Sequence, residues 1–325
     1  MIPAKLRPGD EVRVVSPATS LGFIPEDQTT MARERLGELG LRISFSRNAE
    51  VLDRFGSSPV EARVSDLHEA FADPGVKGVL TTLGGYNSNG LLNYLDYNLI
   101  QDNPKIFCGF SDITALASAI HARTGLVTYS GPHFTTFGMK RGIEYTTEYF
   151  ERCLMRGEPF KVLPADHWSD DPWYQDQENR DFVPNPGYEI VHEGDAEGKL
   201  LGGHLGTMCL LFGTPYMPDL EGTILLIEDD EEAGPVHFDQ ELQSLFHQPG
   251  FPGVRGLVIG RFQRASEMDL GTLTAIIESK RELDGLPVVA NASFGHTTPQ
   301  FTFPIGGRGR LRADTGHVEL RIDEH

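Results

Sequence analysis

Ser111 is the residue whose setting most suggests chemistry. It lies in Phe107-Cys108-Gly109-Phe110-Ser111-Asp112-Ile113-Thr114, where an apolar run fit for a buried strand passes straight into a helix. A hydroxyl at such a sharp turn is pushed clear of the sheet, as in a nucleophile elbow. The free N–H groups and positive dipole end of the following helix suit a developing oxyanion. The G-x-S-x-G pattern is met only in part, because Ile113 occupies its last position. Serine is also a favoured helix N-cap, so a purely structural cap is the competing reading. A second strand-to-helix junction, Thr82-Leu83-Gly84-Gly85-Tyr86-Asn87-Ser88-Asn89-Gly90, carries a glycine pair. Gly84 and Gly85 allow the backbone to approach a ligand and free an N–H for an oxyanion hole; a tight turn would use them equally well. The G-x-G-x-x-G spacing of a dinucleotide site is absent.

A serine nucleophile needs a base, and the base needs an orienting acid. Among the eleven histidines, His296 has the best setting, just past an apolar run ending Ser293-Phe294-Gly295. Glu228 closes the run TILLIE in the same way, at a strand end that delivers side chains to a cleft. His204 in GGHLGT and His133 in SGPHF are rival bases. The acidic run 228–232 is the one place where a cation is conceivable. No His or Cys stands within metal-ligand spacing of it in the sequence, so we read Glu228 as pointing inward and the rest as a solvated turn. No metal and no cofactor are expected. Cys108 falls inside its strand and reads as core rather than as the nucleophile of a cysteine amidotransferase.

The elements that must position these groups alternate between strand and helix. Residues 11–16, 76–83 and 105–110 read as strands; residues 28–39 and a segment opening at Ser58-Pro59-Val60-Glu61 read as helices. The latter looks like a capping box with Pro59 at the first helical position, placing Val60, Val64, Leu67 and Phe71 on one face. Such alternation implies a mostly parallel sheet with helices on both faces. Residues 157–195 are rich in Asp, Glu, Pro, Trp and Tyr and lack a period, so they read as a long loop. Strands follow at 197–201, 223–228, 254–259 and 286–294, with a short helix near 204–212 and a hairpin turning at Asp314-Thr315-Gly316. The resulting division is an α/β domain over 1–160, a connecting loop over 161–190 and a smaller α/β domain over 191–325.

The chain has 325 residues, 28 Lys plus Arg against 47 Asp plus Glu, and a net charge of −19. Such acidity disfavours nucleic acid and anionic membrane surfaces as partners. Three cysteines without CxxC spacing, no apolar leader and no membrane-length apolar run point to the cytoplasm.

Taken in order, these segments resemble a known family. GFSDITAL followed by TGLVTYSGP resembles the nucleophile region of the LD-carboxypeptidases and the related microcin C immunity peptidases, and GGYNSN resembles their oxyanion loop. LLGGHLGTM, TPYMP, ILLIEDDEE and FGHTTPQFTFPIG resemble the second-domain motifs, so the likeness spans nearly the whole chain. It implies a serine–glutamate–histidine triad at Ser111, Glu228 and His296, with oxyanion donors at the backbone N–H of Asp112 and Gly85. It also implies a site between two domains, a homodimer and no metal. GGYNSN, TPYMP and the EDD segment look closer to the microcin-immunity branch. The family commonly has Asn where this chain has His204, so a substrate contact there does not carry over directly. On the substrate side the candidates are Gly84, Asn87, His204, Trp168 and Trp173.

The resulting expectation is a serine carboxypeptidase acting through an acyl-enzyme. Its substrate is a small peptide or a peptidyl- or aminoacyl-nucleotide; the alternative is a murein tetrapeptide losing its terminal D-residue. Trp168, Trp173 and Tyr174 are placed where a base could stack, or where they simply anchor the loop. A rival from another class is a non-catalytic small-molecule binder on the same scaffold.

Overall fold

The structure is a computed structural model and describes residues 1–325. In the first half, β1 (Glu11–Val15), β2 (Arg42–Phe45), β3 (Val76–Thr81), β4 (Ile106–Gly109) and β5 (Thr128–Ser130) pair in parallel in the order β5-β4-β3-β1-β2. The crossovers carry α1 (Glu26–Glu38), α2 (Val60–Ala72), α3 (Tyr97–Asp102) and α4 (Thr114–Thr124), and α5 (Glu144–Leu154) follows β5. β3 is buried along its length except at Lys77, as a parallel strand covered on both faces must be.

The helix α2 begins differently from the expected capping box. Pro59 is extended and takes the N-cap position, with no side-chain cap. Glu61 is then only the second helical residue, one short of the position from which it could reach back. Leu67 and Phe71 are buried, whereas Val60 and Val64 pack at the margin of the core. The helix after Ser111, α4, is buried at nearly every position from Thr114 to Ile120. It contacts β4 and β5 of the first sheet and β10 (Gly194–His204) of the second. A helix apolar all round belongs between layers, so the nucleophile's helix is the wedge between the two sheets.

The second sheet has eight strands. Its centre is β10, β11 (Thr223–Glu228), β12 (Gly256–Gly260) and β13 (Val288–Ala292), all parallel. Helices α6 (Leu205–Cys209), α7 (Pro235–Phe246) and α8 (Leu270–Glu278) lie in the connections. The hairpin of β15 (Arg308–Asp314) and β16 (His317–Glu324) turns where expected and extends the sheet from β10.

The stretch expected as an irregular connecting loop is partly paired. β6 (Phe160–Val162) joins β16 and β9 (Glu189–His192) joins β13, forming the two edges of the second sheet. Between them β7 (His167–Trp168) and β8 (Val183–Pro184) form a ribbon of their own. Strands of two to four residues are too short to show a period, which is why composition hid them. In return, β14 (Phe303–Ile305) leaves the second half and pairs antiparallel with β5 at the edge of the first sheet. One continuous apolar core runs through both sheets. No helix is long and apolar enough to cross a membrane.

Candidate active site

Past the end of β4 the chain enters a short 3-10 turn, Ser111–Ile113, that leads into α4. Ser111 holds φ +59°, a left-handed conformation that costs an L-residue roughly 1–2 kcal/mol. It is not a cap: Phe110 takes the cap position of the turn, and no side chain caps either the turn or α4. Ser111 Oγ lies 3.0 Å from His296 Nε2, and His296 Nδ1 lies 2.7 Å from Glu228 Oε2. A carboxylate can only accept, so Nδ1 carries the ring proton and Nε2 is free to accept the Ser111 O–H.

Glu228 is the last residue of β11, is 2% exposed, and stands opposite His204 in the β10–β11 register. Both side chains leave the carboxyl ends of parallel strands, where open α/β sheets place their ligands. Gly295 (φ +93°) folds over Glu228 so closely that a Cβ there would collide with the carboxylate. The sequence reading missed Gly295; its place directly before His296 was the available signal.

The glycine loop backs onto the serine. A Cβ on Gly84 would sit 3.0 Å from Ser111 Cβ and 3.1 Å from Oγ. The N–H groups of Gly85 and Asp112 donate to no backbone acceptor. A role for the Asp112 side chain was also missed. Its carboxylate accepts the Ser88 N–H at 2.9 Å, and its carbonyl accepts the Ser88 hydroxyl at 2.7 Å. Asp112 thereby fastens the glycine loop to the elbow. Burial raises its pKa against the lowering effect of the Ser88 and Asn87 donors. The Asn87 side chain is engaged by Arg63 Nη1 at 2.9 Å.

Neither rival histidine bonds Ser111. His133 is fully buried and hydrogen-bonds Thr81 Oγ1 through Nδ1 at 2.9 Å. Burial, with the nearby His296 adding to it, lowers its pKa to about 3, so it is neutral. His204 opens α6, and its Nδ1 accepts the Thr207 N–H at 3.0 Å. Its Nε2 lies 3.0 Å from Asp229 Oδ1 and 3.4 Å from Asp230 Oδ2. Burial opposes charging this ring, but the two carboxylates outweigh it and raise the pKa to about 11. The cap bond from Thr207 needs a lone pair on Nδ1 and so belongs to the neutral ring; the charged ring instead donates from Nδ1 to Thr207 Oγ1, 3.0 Å away, and from Nε2 toward the acids.

The acidic run is less solvated than its composition suggested. Asp229 is 2% exposed and turns inward beside Glu228, because His204 and Glu241 are there to meet it. Burial, and then a hydrogen bond to Asp229, raise the Glu241 pKa to about 8. Glu241 Oε2 and Asp229 Oδ2 have no other donor, so a proton held by Glu241 serves both.

A cavity of about 470 Å³ opens above His296. Its walls include Phe110, His133, Trp173, Gln263 and the carboxylates of Asp170, Asp171, Asp230, Glu231 and Glu232. The strap over 166–185 is stitched to both halves. Ser169 and Thr298 exchange two backbone hydrogen bonds of 2.8 Å, Gln28 Nε2 donates to the Tyr174 carbonyl, and Arg264 pairs with Asp170 and Asp181. The two tryptophans separate here. Trp173 lines the cavity, whereas Trp168 lies outside it under two guanidinium groups, Arg261 at 4.7 Å and Arg264 at 5.1 Å.

Residues 12–131 match the LD-carboxypeptidase N-terminal domain, and residues 197–311 match the LD-carboxypeptidase C-terminal domain. The chain belongs to the LD-carboxypeptidase family. Within that family it is 53% identical to a Bacillus subtilis protein, YocD, whose carboxypeptidase designation is provisional, over all of both chains. It is 31% identical to the murein tetrapeptide carboxypeptidase of Pseudomonas aeruginosa, over 91% of each. Among solved structures, an MccF-like protein from Bacillus anthracis superposes with TM-score 0.99 at 54% identity, over all of both chains. The microcin C7 self-immunity protein MccF, in complex with aspartyl sulfamoyl adenosine, superposes with TM-score 0.89 at 26% identity, covering 100% of this chain and 99% of that one. The family's members are peptidases, and those named here span both the murein and the microcin-immunity branches.

Proposed function

We propose that the chain is a serine peptidase that cleaves the amide bond of a small aminoacyl- or peptidyl-nucleotide conjugate. The observation that carries the reading is the unbroken line from Glu228 through His296 to a serine held at φ +59°. In this mechanism His296 Nε2 takes the proton of Ser111 as Oγ attacks the carbonyl, and Glu228 holds the ring and stabilises its charge. The N–H groups of Gly85 and Asp112 receive the oxyanion, a donor of this kind being worth about 2.7–4 kcal/mol of barrier. His296 then protonates the leaving amine, and water hydrolyses the acyl-enzyme. No metal enters these steps, so EDTA should leave hydrolysis undiminished.

Support for the nucleotide comes from the aminoacyl-nucleotide analogue bound by MccF and from Trp173 on the cavity wall. Murein peptide trimming is the second reading, favoured by one observation: five carboxylates and no Lys or Arg line the cavity, a poor setting for a phosphate. The deciding experiment measures kcat/KM on an aminoacyl sulfamoyl adenosine and on a murein tetrapeptide. A serine-directed fluorophosphonate should label Ser111; a chain that neither labels nor hydrolyses is a binder. The resemblance also supports a cytoplasmic homodimer, to be checked by fractionation and by sedimentation.

A further inference from the structure

His204, Asp230 and His296 each offer one ligand atom, and the three atoms lie within 4.8 Å of one another. They come from the end of β10, the turn after β11 and the turn after β13, so no sequence spacing announces them. Two imidazoles with one carboxylate, and a fourth position open to solvent, form a zinc-type donor set. Around a tetrahedral zinc the donor atoms stand about 3.4 Å apart, and His204 Nε2 and Asp230 Oδ2 already lie 3.4 Å apart. Two further features favour a cation here. The buried His204 Nε2 faces Asp229 Oδ1 at 3.0 Å and Asp230 Oδ2 at 3.4 Å without a well-aligned hydrogen bond to either, and Asp229 and Glu228 add buried negative charge beside it.

We propose that a zinc ion binds His204, Asp230 and His296 and reversibly silences the peptidase. His296 Nδ1 is held by Glu228, so Nε2 is the nitrogen that the metal takes. Glu228 then becomes the carboxylate behind a zinc-bound histidine, an arrangement that strengthens the ligand. The Ser111 O–H loses its acceptor. Zinc displaces the Nε2 proton of His204, which leaves to solvent; the proton on Nδ1 stays and is accepted by Thr207 Oγ1 at 3.0 Å, so the Thr207 N–H makes no bond to the ring. The ligand atoms lie no more than 4.8 Å apart, so bringing His296 to the tetrahedral spacing of about 3.4 Å asks for a shift of at most about 1.4 Å, within reach of a small side-chain rotation. Zinc occupancy and nucleophile activation therefore compete for one lone pair. The inhibitory consequence rests on the assignment of His296 as the base; the binding site does not.

Zinc titrated into the full-length chain against a chromophoric chelator should reveal one tight site per chain. His204→Asn and Asp230→Asn should each weaken it at least tenfold, as should His296→Ala. Over the same zinc range, hydrolysis and fluorophosphonate labelling of the wild type should fall in step with occupancy and recover on adding EDTA, while magnesium should do neither. Equal zinc affinity in wild type and all three variants would overturn the proposal, and so would full occupancy with undiminished labelling. A chain that fails to hydrolyse or label under any condition refutes the peptidase reading instead, since chelator competition still reports the site.

Discussion

Replacing Ser111 separates chemistry from backbone strain. Ser111→Ala and Ser111→Gly should both abolish hydrolysis, but glycine alone is at ease at φ +59°. The glycine variant should therefore be more stable than the alanine variant by about 1 kcal/mol. Urea denaturation of the two proteins measures the difference, and equal stabilities would mean that the elbow is unstrained. For the partners, His296→Ala and Glu228→Gln should each cut kcat severely. The double variant should be little worse than His296→Ala, because residues sharing one proton path do not lose additively; fully additive losses would separate them. Ser111, Glu228 and His296 were legible in the sequence because each falls at the end of an apolar run, and the end of a parallel strand is where a side chain reaches a cleft. Asp112 and Asp229 were not. Each is an acidic residue that solvent usually claims, and only the fold brings Ser88, or His204 with Glu241, close enough to keep it inside.

At the scale of the element, the strap between β6 and β9 is the part the sequence told least about. The strands that bound it, β6 and β9, pair with β16 and β13, about 160 and about 100 residues further along the chain, and no local pattern encodes such pairing. The central strands β3, β4, β11 and β13 were legible because burial on both faces leaves continuous apolar runs. The structure gives the two tryptophans of the strap different work. Trp173→Ala should lower kcat/KM for an aminoacyl-nucleotide by about five-fold to a hundred-fold, the equivalent of roughly 1–3 kcal/mol of stacking, and should spare a minimal peptide. Trp168→Ala should affect both substrates alike, since it frees the guanidinium groups of Arg261 and Arg264 and loosens the strap. Steady-state kinetics of both variants on both substrates checks this, and identical profiles would remove the distinction.

For the molecule as a whole, the half-buried Glu241 predicts a pH signature. Its pKa is raised from 4.5 to about 8 in the folded chain. The native state thus keeps a proton that the unfolded chain releases near pH 4.5, and the stability tied to that proton falls as pH rises from there to about 8. Glu241→Gln, which mimics the protonated acid, should raise Tm relative to wild type at pH 9 and change it little at pH 5. A difference in Tm that is independent of pH would show that Glu241 is already ionised in the native protein.

The antiparallel strand β14 has a consequence for how the chain is made. β5 is complete by residue 130, but the strand that covers its open edge ends at residue 305. During synthesis that edge, with its unpaired N–H and C=O groups, waits while roughly 170 further residues leave the ribosome; at about 5–20 residues per second this is on the order of ten seconds or more. Exposed strand edges recruit other chains. The vulnerable species is therefore the nascent polypeptide rather than the finished enzyme. Ribosome-bound chains stalled before residue 300 should be markedly more dependent on chaperones than chains stalled with residue 305 fully emerged.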